Sequence, residues 1–420
     1  MSGLIRRVAT NAAWLASGEV VLKGALFLAA ALVARGLGPS AMGVFTVAYG
    51  ASLVLAQLLA AGQVEVVIRE VASSPQAGLG LYRAARRVQG RLAWLLVPAA
   101  LFGAWWLGGA AYRWALLTFL PYAWLRCRLI TAAAVFKGLD RMAVEVVGRS
   151  LEVAVALLVL SAAVAARWPV WVVGLAFSLG ALAGSGYVLA QLARLGGPRG
   201  GVAEAILRRQ GLPFLGLAVV GQLLMRVDTF ALAFFGVAAE AIGHYGAATT
   251  PVWGLLGVAQ LLAVSIYPSV SRAAGDGTLG PRHALLVGVA AWGLGAALAA
   301  ALWVARDALV AAVFGPAYAE AGEVLAVVAW VLPPACGSMV LGVVVAALHR
   351  QSWALACQFG ALVGAVAAYL YAVPRWALTG CAWTLVAVHW ATFVATFVCA
   401  LLAARRPGPT GVAAIPAAAT

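Results

Sequence analysis

The stretch LPFLGLAVVGQLLMRVDTFALAFFGVAAEAIGHYGAATTPVWGLLGVAQLLAVSIYPSVSR, Leu212 to Arg272, decides how the chain is read. It holds two long apolar segments joined by a short turn, Gly236 to Tyr245. Arg226-Val227-Asp228 sits near the middle of the first segment. An ionised side chain at bilayer depth costs about 2.5–3.5 kcal/mol on insertion scales. A segment that keeps two of them there needs a partner inside a bundle or a watery cavity.

Composition extends this reading to the whole chain. Of 420 residues, 65% are hydrophobic and only 10% charged, and the mean hydropathy is +1.00. Soluble domains average about 45–50% apolar and about 25% charged. The apolar runs are continuous and long, as spanning helices require, not alternating as in an outer-membrane barrel. The expected fold is an all-α integral membrane protein of twelve spans, roughly 11–34, 42–66, 92–110, 114–134, 143–165 and 170–193, then 212–235, 245–269, 284–305, 324–348, 353–373 and 377–402.

Eighteen of the 28 basic residues fall in the front end, the even-numbered turns and the tail, and five in the odd-numbered turns. The positive-inside rule then puts both termini in the cytoplasm of a multi-pass cell-membrane protein. The net charge of +15 is mainly this topology signal, with anionic headgroups as its neighbours. Basic residues spread over many short turns do not form a nucleic-acid surface. The first apolar run is too long for a cleaved signal and contains Glu19 and Lys23.

The Gly/Pro-rich run Leu192–Gly201 and the basic, helix-like piece Val202–Gln210 divide the spans six and six. This predicts an N-terminal lobe at 1–194, a cytoplasmic linker at 195–211, a C-terminal lobe at 212–403 and a disordered cytoplasmic tail at 404–420. Six spans per half return the chain to one membrane side, so the halves are expected to be related by an axis along the membrane normal, as in transporters built from parallel repeats. ARGLGPSAMGVF, from Ala34, resembles AFFGVAAEAIGHY, from Ala233, with Gly38, Gly43 and Phe45 answering Gly236, Gly243 and Tyr245.

Nine charged residues lie well inside spans, at a summed cost on the order of 25 kcal/mol if all faced lipid. Typical total stability is about 5–15 kcal/mol, so most must face each other or water. Glu19 and Lys23 share a face at i, i+4, either as a self-neutralised pair or lining a cavity. Glu145, Arg149 and Glu152 form one polar stripe, in which Glu145 and Arg149 are placed to neutralise one another. Gln222, Arg226 and Thr229 share a face of span seven, with Asp228 pointing away. Arg126 and Arg128 lie toward the cytoplasmic end of span four, where one of them is expected to snorkel to headgroups. Pro268 is expected to end or bend span eight, and Pro333-Pro334 to break span ten.

No catalytic, metal or nucleotide motif accompanies these charges: HExxH, a Walker loop and G-x-S-x-G are all missing. The five cysteines lack metal-ligand spacing and read as packing residues. Neither a cofactor nor a metal is expected. The chain reads as a transporter, not an enzyme, whose two six-helix halves suit alternating access.

Several segments resemble the oligosaccharide-flippase, or polysaccharide-biosynthesis, branch of the multidrug/oligosaccharidyl-lipid/polysaccharide (MOP) exporter superfamily. They are GLGPSAMGVF from Gly36, Ile68-Arg69-Glu70, GLDRM from Gly138, Arg226-Val227-Asp228, Gly243-His244-Tyr245, the run Tyr267 to Arg272, and FGPAYAEA from Phe314. They occur in the family's order. The resemblance implies two lobes of six helices around a central cavity, MATE-like, and movement of a polyprenyl-diphosphate-linked oligosaccharide to the outer leaflet of the cell inner membrane. It also implies polysaccharide polymerase or glycosyltransferase machinery as possible partners. A diphosphate calls for cationic donors, with Arg the best match. Lys23, Arg149 and Arg226 are the candidates; Gln222, Thr229, Thr249 and Gln260, with the aromatics Tyr49 and Trp253, would meet the sugar. Glu19, Glu145, Glu152 and Asp228 are the candidate cavity or coupling acids.

The chain departs from the family in two places. Gly246 to Pro251 is small and uncharged where the family often has a basic or bulky residue, and the two further helices usual in lipid II flippases are missing. Two rivals remain. A multidrug/cation antiporter of the same superfamily would want an acidic cavity. A major-facilitator transporter would usually carry a G-x-x-x-D-R-type loop after span two.

Overall fold

A computed structural model describes residues 2–106, 109–195, 204–348 and 350–405. Residues 196–203 of the linker, the tail beyond Arg405 and His349 lie outside the described residues, as do the side chains of Arg6 and Arg7. The described residues form helices α1 (Ser2–Ala60), α2 (Gln63–Ser73), α3 (Gly78–Trp106), α4 (Ala110–Gly138), α5 (Met142–Ala165), α6 (Trp171–Arg194) and α7 (Glu204–Leu224). There follow α8 (Val227–Phe234), α9 (Ala239–Gly275), α10 (Pro281–Val313), α11 (Ala319–Val328), α12 (Leu332–Ala347) and α13 (Gln351–Arg405). Eight helices are long and apolar enough to cross a membrane, and the bent pair α7–α8 supplies a ninth crossing. Two of them, α1 and α13, are each two arms folded at one non-helical residue, Gly38 and Ala377. With α3, this makes the twelve crossings expected from hydropathy. The chain is thus a multi-pass membrane protein. Large apolar side chains left uncovered by protein, such as Trp94 at 85% and Val304 at 77%, have lipid as their natural neighbour.

Local chemistry explains the departures from the expected spans. The turn between the first two expected spans closes to a single residue because Gly38 takes φ 85°, a region glycine enters without steric cost. Residues 78–91, which precede the third expected span, are the first turns of α3, and α2 stands apart before them as a short helix. Span ten breaks where expected. A 3₁₀ turn at Ala329–Val331 leads into α12, whose first turn holds Pro333 and Pro334, where no backbone N–H is needed. Pro268 does not end span eight, since α9 runs on to Gly275. Span seven is not one helix: α7 and α8 meet at a bend of 61° around Met225 and Arg226.

The packing closes one end of the molecule and leaves the other divided. One apolar core joins both halves of the chain, Val33, Met42 and Phe45 packing with Tyr245, Phe314 and Leu332. Away from it the cores separate. One is built on α2, α3, α4 and α6 (Val67, Leu81, Val135, Leu192), another on α9, α12 and α13 (Val270, Val344, Ala400). The most extensive contact between helices is α1 against α9. Its tight point is a reciprocal glycine crossing. A methyl group on Gly43 would land on the Ala239 carbonyl, and one on Gly243 on the Pro39 carbonyl. Around this seal Tyr318 Oη donates to the Ala34 carbonyl at 3.2 Å and Arg35 Nη2 to the Ala312 carbonyl at 2.7 Å.

The first turns of α7 lean on the first half of the chain. Leu207 is buried in its core, and Gly62 packs on the backbone of Gly211 and Leu215. Arg87 and Arg91 both donate to the Glu204 carboxylate. The bond from Arg87 holds that carboxyl below its ordinary range.

Candidate functional site

A cavity of about 880 Å³ lies between the halves, on the divided side of the seal. It is walled by α1, α4, α5, α7, α9, α12 and α13. Four cations reach it: Lys23, Arg126, Arg149 and Arg226. Its described lining contains no carboxylate. Four glutamines from four helices line it as well, Gln57, Gln222, Gln260 and Gln358, with the rings of Tyr49, Trp253 and Tyr267.

The four cations are not equivalent. Arg126 Nη1 donates to Glu152 Oε2 at 2.6 Å, and Glu152 is buried behind it. Arg149 Nη1 donates to Glu19 Oε1 at 2.7 Å. Lys23 and Arg226 make no salt bridge among the described residues. Arg226 lies over the ring of Tyr49, its guanidinium carbon 5.9 Å from the centroid, and its buried Nε has no hydrogen-bond partner. It stands outside both α7 and α8, at φ −139°, and its side chain passes Gly50, where any Cβ would crowd it. The break in span seven is therefore what delivers this arginine to the cavity.

A second, mainly apolar cavity of about 430 Å³ runs between α1 and α9 and reaches α10. Glu19, Val20 and Phe27 face Pro251, Leu255 and Val258 across it, with Leu302 and Leu309 beyond. Val20 is 62% uncovered, so this slot reaches the outer surface of the bundle. Lys23 and Gly257 belong to both cavities.

Several residues expected in the cavity lie elsewhere. Asp228 is buried, accepting from Tyr245 Oη at 2.7 Å and from the Thr229 N–H at 2.7 Å. Thr229 is buried with it, because the bend at Arg226 removes the helical register that had placed Thr229 and Arg226 on one face. Thr249 is also buried, bonded to the Tyr245 carbonyl. Glu145 lies 3.0 Å from Lys137 and 3.9 Å from Arg149, so the expected Glu145–Arg149 pair is the longer of two. Glu19 pairs with Arg149, not with its helix neighbour Lys23. Arg126, one of the two arginines of span four weighed for snorkelling, is a cavity residue bound to Glu152. Gln57 and Gln358 carried no distinguishing signal in the sequence beyond polarity within an apolar run. Among the described residues no group of His, Cys, Asp and Glu could hold a metal ion.

No protein-family model and no curated protein matches the sequence. Solved structures do match the fold. A multidrug resistance MATE family transporter of the MOP superfamily, inward-facing, aligns with TM-score 0.69 at 15% identity, covering 92% of this chain and 94% of that one. The lipid II flippase MurJ, in an inward closed conformation, aligns with TM-score 0.74 at 12% identity, covering 93% and 87%. A MOP superfamily transporter from Pyrococcus furiosus, described by the reverse polarity of its binding pocket, aligns with TM-score 0.66 at 16% identity, covering 94% and 95%. The chain has the fold of MOP superfamily transporters, two six-helix lobes around a central cavity.

Proposed function

We propose that this protein is a flippase that carries a polyprenyl-diphosphate-linked oligosaccharide from the cytoplasmic to the outer leaflet of the cell membrane by alternating access. The observation that carries this reading is the charge of the central cavity. Four cations line it with no carboxylate among the described lining residues, and two of them, Lys23 and Arg226, make no salt bridge among the described residues. An unpaired cation facing a cavity is costly unless water or an anion meets it. A diphosphate supplies two adjacent phosphoryl groups for Lys23 and Arg226. The apolar slot between α1 and α9 supports the same cargo, because a lipid tail can stay in the bilayer while its headgroup passes Lys23, which lines both cavities.

With both termini cytoplasmic, the seal at Gly43 and Gly243 lies on the outer side and the cavity opens inward, ready to load. A multidrug or cation antiporter would be better served by carboxylates on the cavity wall. Glycan-polymerising or glycosyltransferase machinery on the two membrane faces would supply and consume the cargo.

Binding tests the charge argument directly. Purified protein is titrated with a short-chain polyprenyl diphosphate and with the polyprenyl alcohol of equal length. The diphosphate is expected to bind more tightly, less so as salt rises. Arg226→Ala and Lys23→Ala should each weaken it about tenfold, the scale of one charge-assisted contact. Equal binding of alcohol and diphosphate would overturn the reading.

A further inference from the structure

We infer, resting on the flippase reading, that the cavity selects glycans whose sugars are uncharged, so that the diphosphate is the only anionic part of the headgroup. The argument is a charge balance. Of the four lining cations, Arg126 is matched by Glu152 at 2.6 Å and Arg149 by Glu19 at 2.7 Å. Asp228, the carboxylate nearest Arg226 in sequence, is turned away and held by Tyr245 and the Thr229 N–H. Lys23 and Arg226 are therefore the cations of the described lining without a salt-bridge partner, Glu19 lying one turn from Lys23 but bonded to Arg149, and a diphosphate uses both.

What remains on the wall is neutral. The amides of Gln57, Gln222, Gln260 and Gln358 come from α1, α7, α9 and α13, so they surround the space instead of forming one patch. A carboxamide both donates and accepts, which suits hydroxyl and acetamido groups. The rings of Tyr49, Trp253 and Tyr267 offer flat apolar faces to the C–H side of a pyranose. A uronic acid or a phosphorylated sugar in the same place would bring a carboxylate or phosphate out of water with no cation left to receive it, and such burial is heavily penalised.

The test is leaflet exchange in liposomes of two polyprenyl-diphosphate oligosaccharides that differ at one sugar, a hexose in one and the matching uronic acid in the other. The neutral lipid should exchange at least about tenfold faster. Gln260→Lys and Gln358→Lys, each adding one cation to the glutamine wall, should narrow that gap by speeding the acidic lipid. Equal exchange of both lipids by the native protein would overturn the selectivity while leaving the flippase reading in place. Exchange of neither would overturn both.

Discussion

At Arg226 the helix stops. Met225 and Arg226 lie between α7 and α8, and the 61° bend there turns the guanidinium toward Tyr49 and the cavity while Asp228, two residues on, goes into the protein. The sequence marks both residues as abnormal for a membrane segment and sets Asp228 off the Arg226 face, but it does not show the break between α7 and α8, because helical periodicity counted straight through it. The same arithmetic put Thr229 beside Arg226 and was wrong for the same reason. Lys23, Arg149, Gln222, Trp253 and Gln260 do line the cavity, as polar or aromatic residues on otherwise apolar helices. The binding of Arg126 to Glu152 was not legible, because Glu152 is on another helix and no local spacing reveals the pairing. That pair gives a residue-scale prediction. Glu152→Ala leaves a mostly buried guanidinium unpaired and should cost about 3–5 kcal/mol, whereas Arg126→Met with Glu152→Met should recover most of the loss. Thermal unfolding in detergent checks it. A double variant no more stable than the single one would show that the pair does not act as a unit.

The α1–α9 crossing is the element on which closure depends. Gly43 meets Ala239 as Gly243 meets Pro39, and a methyl on Gly246 would strike Thr46. The two helices therefore meet about a local pseudo-twofold, and the faint internal similarity around Gly43 and Gly243 has a physical origin. Each glycine is small because the other helix's backbone occupies the space its side chain would need. The sequence showed the two glycines answering one another; it could not show them touching. Gly243→Leu should hold the crossing apart and open the seal. In a background without native cysteines, Thr46→Cys should resist a membrane-impermeant maleimide when Gly243 is present and react once Leu replaces it. Unchanged labelling would mean that the crossing is not the seal.

For the molecule as a whole, hydropathy and the distribution of basic residues were enough to predict twelve crossings in two sets of six. A bilayer forces backbone polar groups into long helices, and those are legible one at a time. Contacts between the sets were not legible in that way. The shared core that joins Phe45 to Tyr245 and Phe314, the separate cores on the other side, and the slot that meets the cavity at Lys23 are properties of two lobes docked at one end only. The proposed alternating access rests on that asymmetry, and the proposed anionic cargo on the cationic lining.

The most direct test reconstitutes the purified protein in liposomes with a short-chain polyprenyl-diphosphate oligosaccharide labelled on its sugar. Leaflet exchange is followed by loss of protection from an impermeant quencher, and efflux of a cationic dye is measured in the same vesicles. The account predicts rapid lipid exchange, lost in a folded Arg226→Ala variant, without dye efflux. Dye efflux without lipid exchange would contradict it.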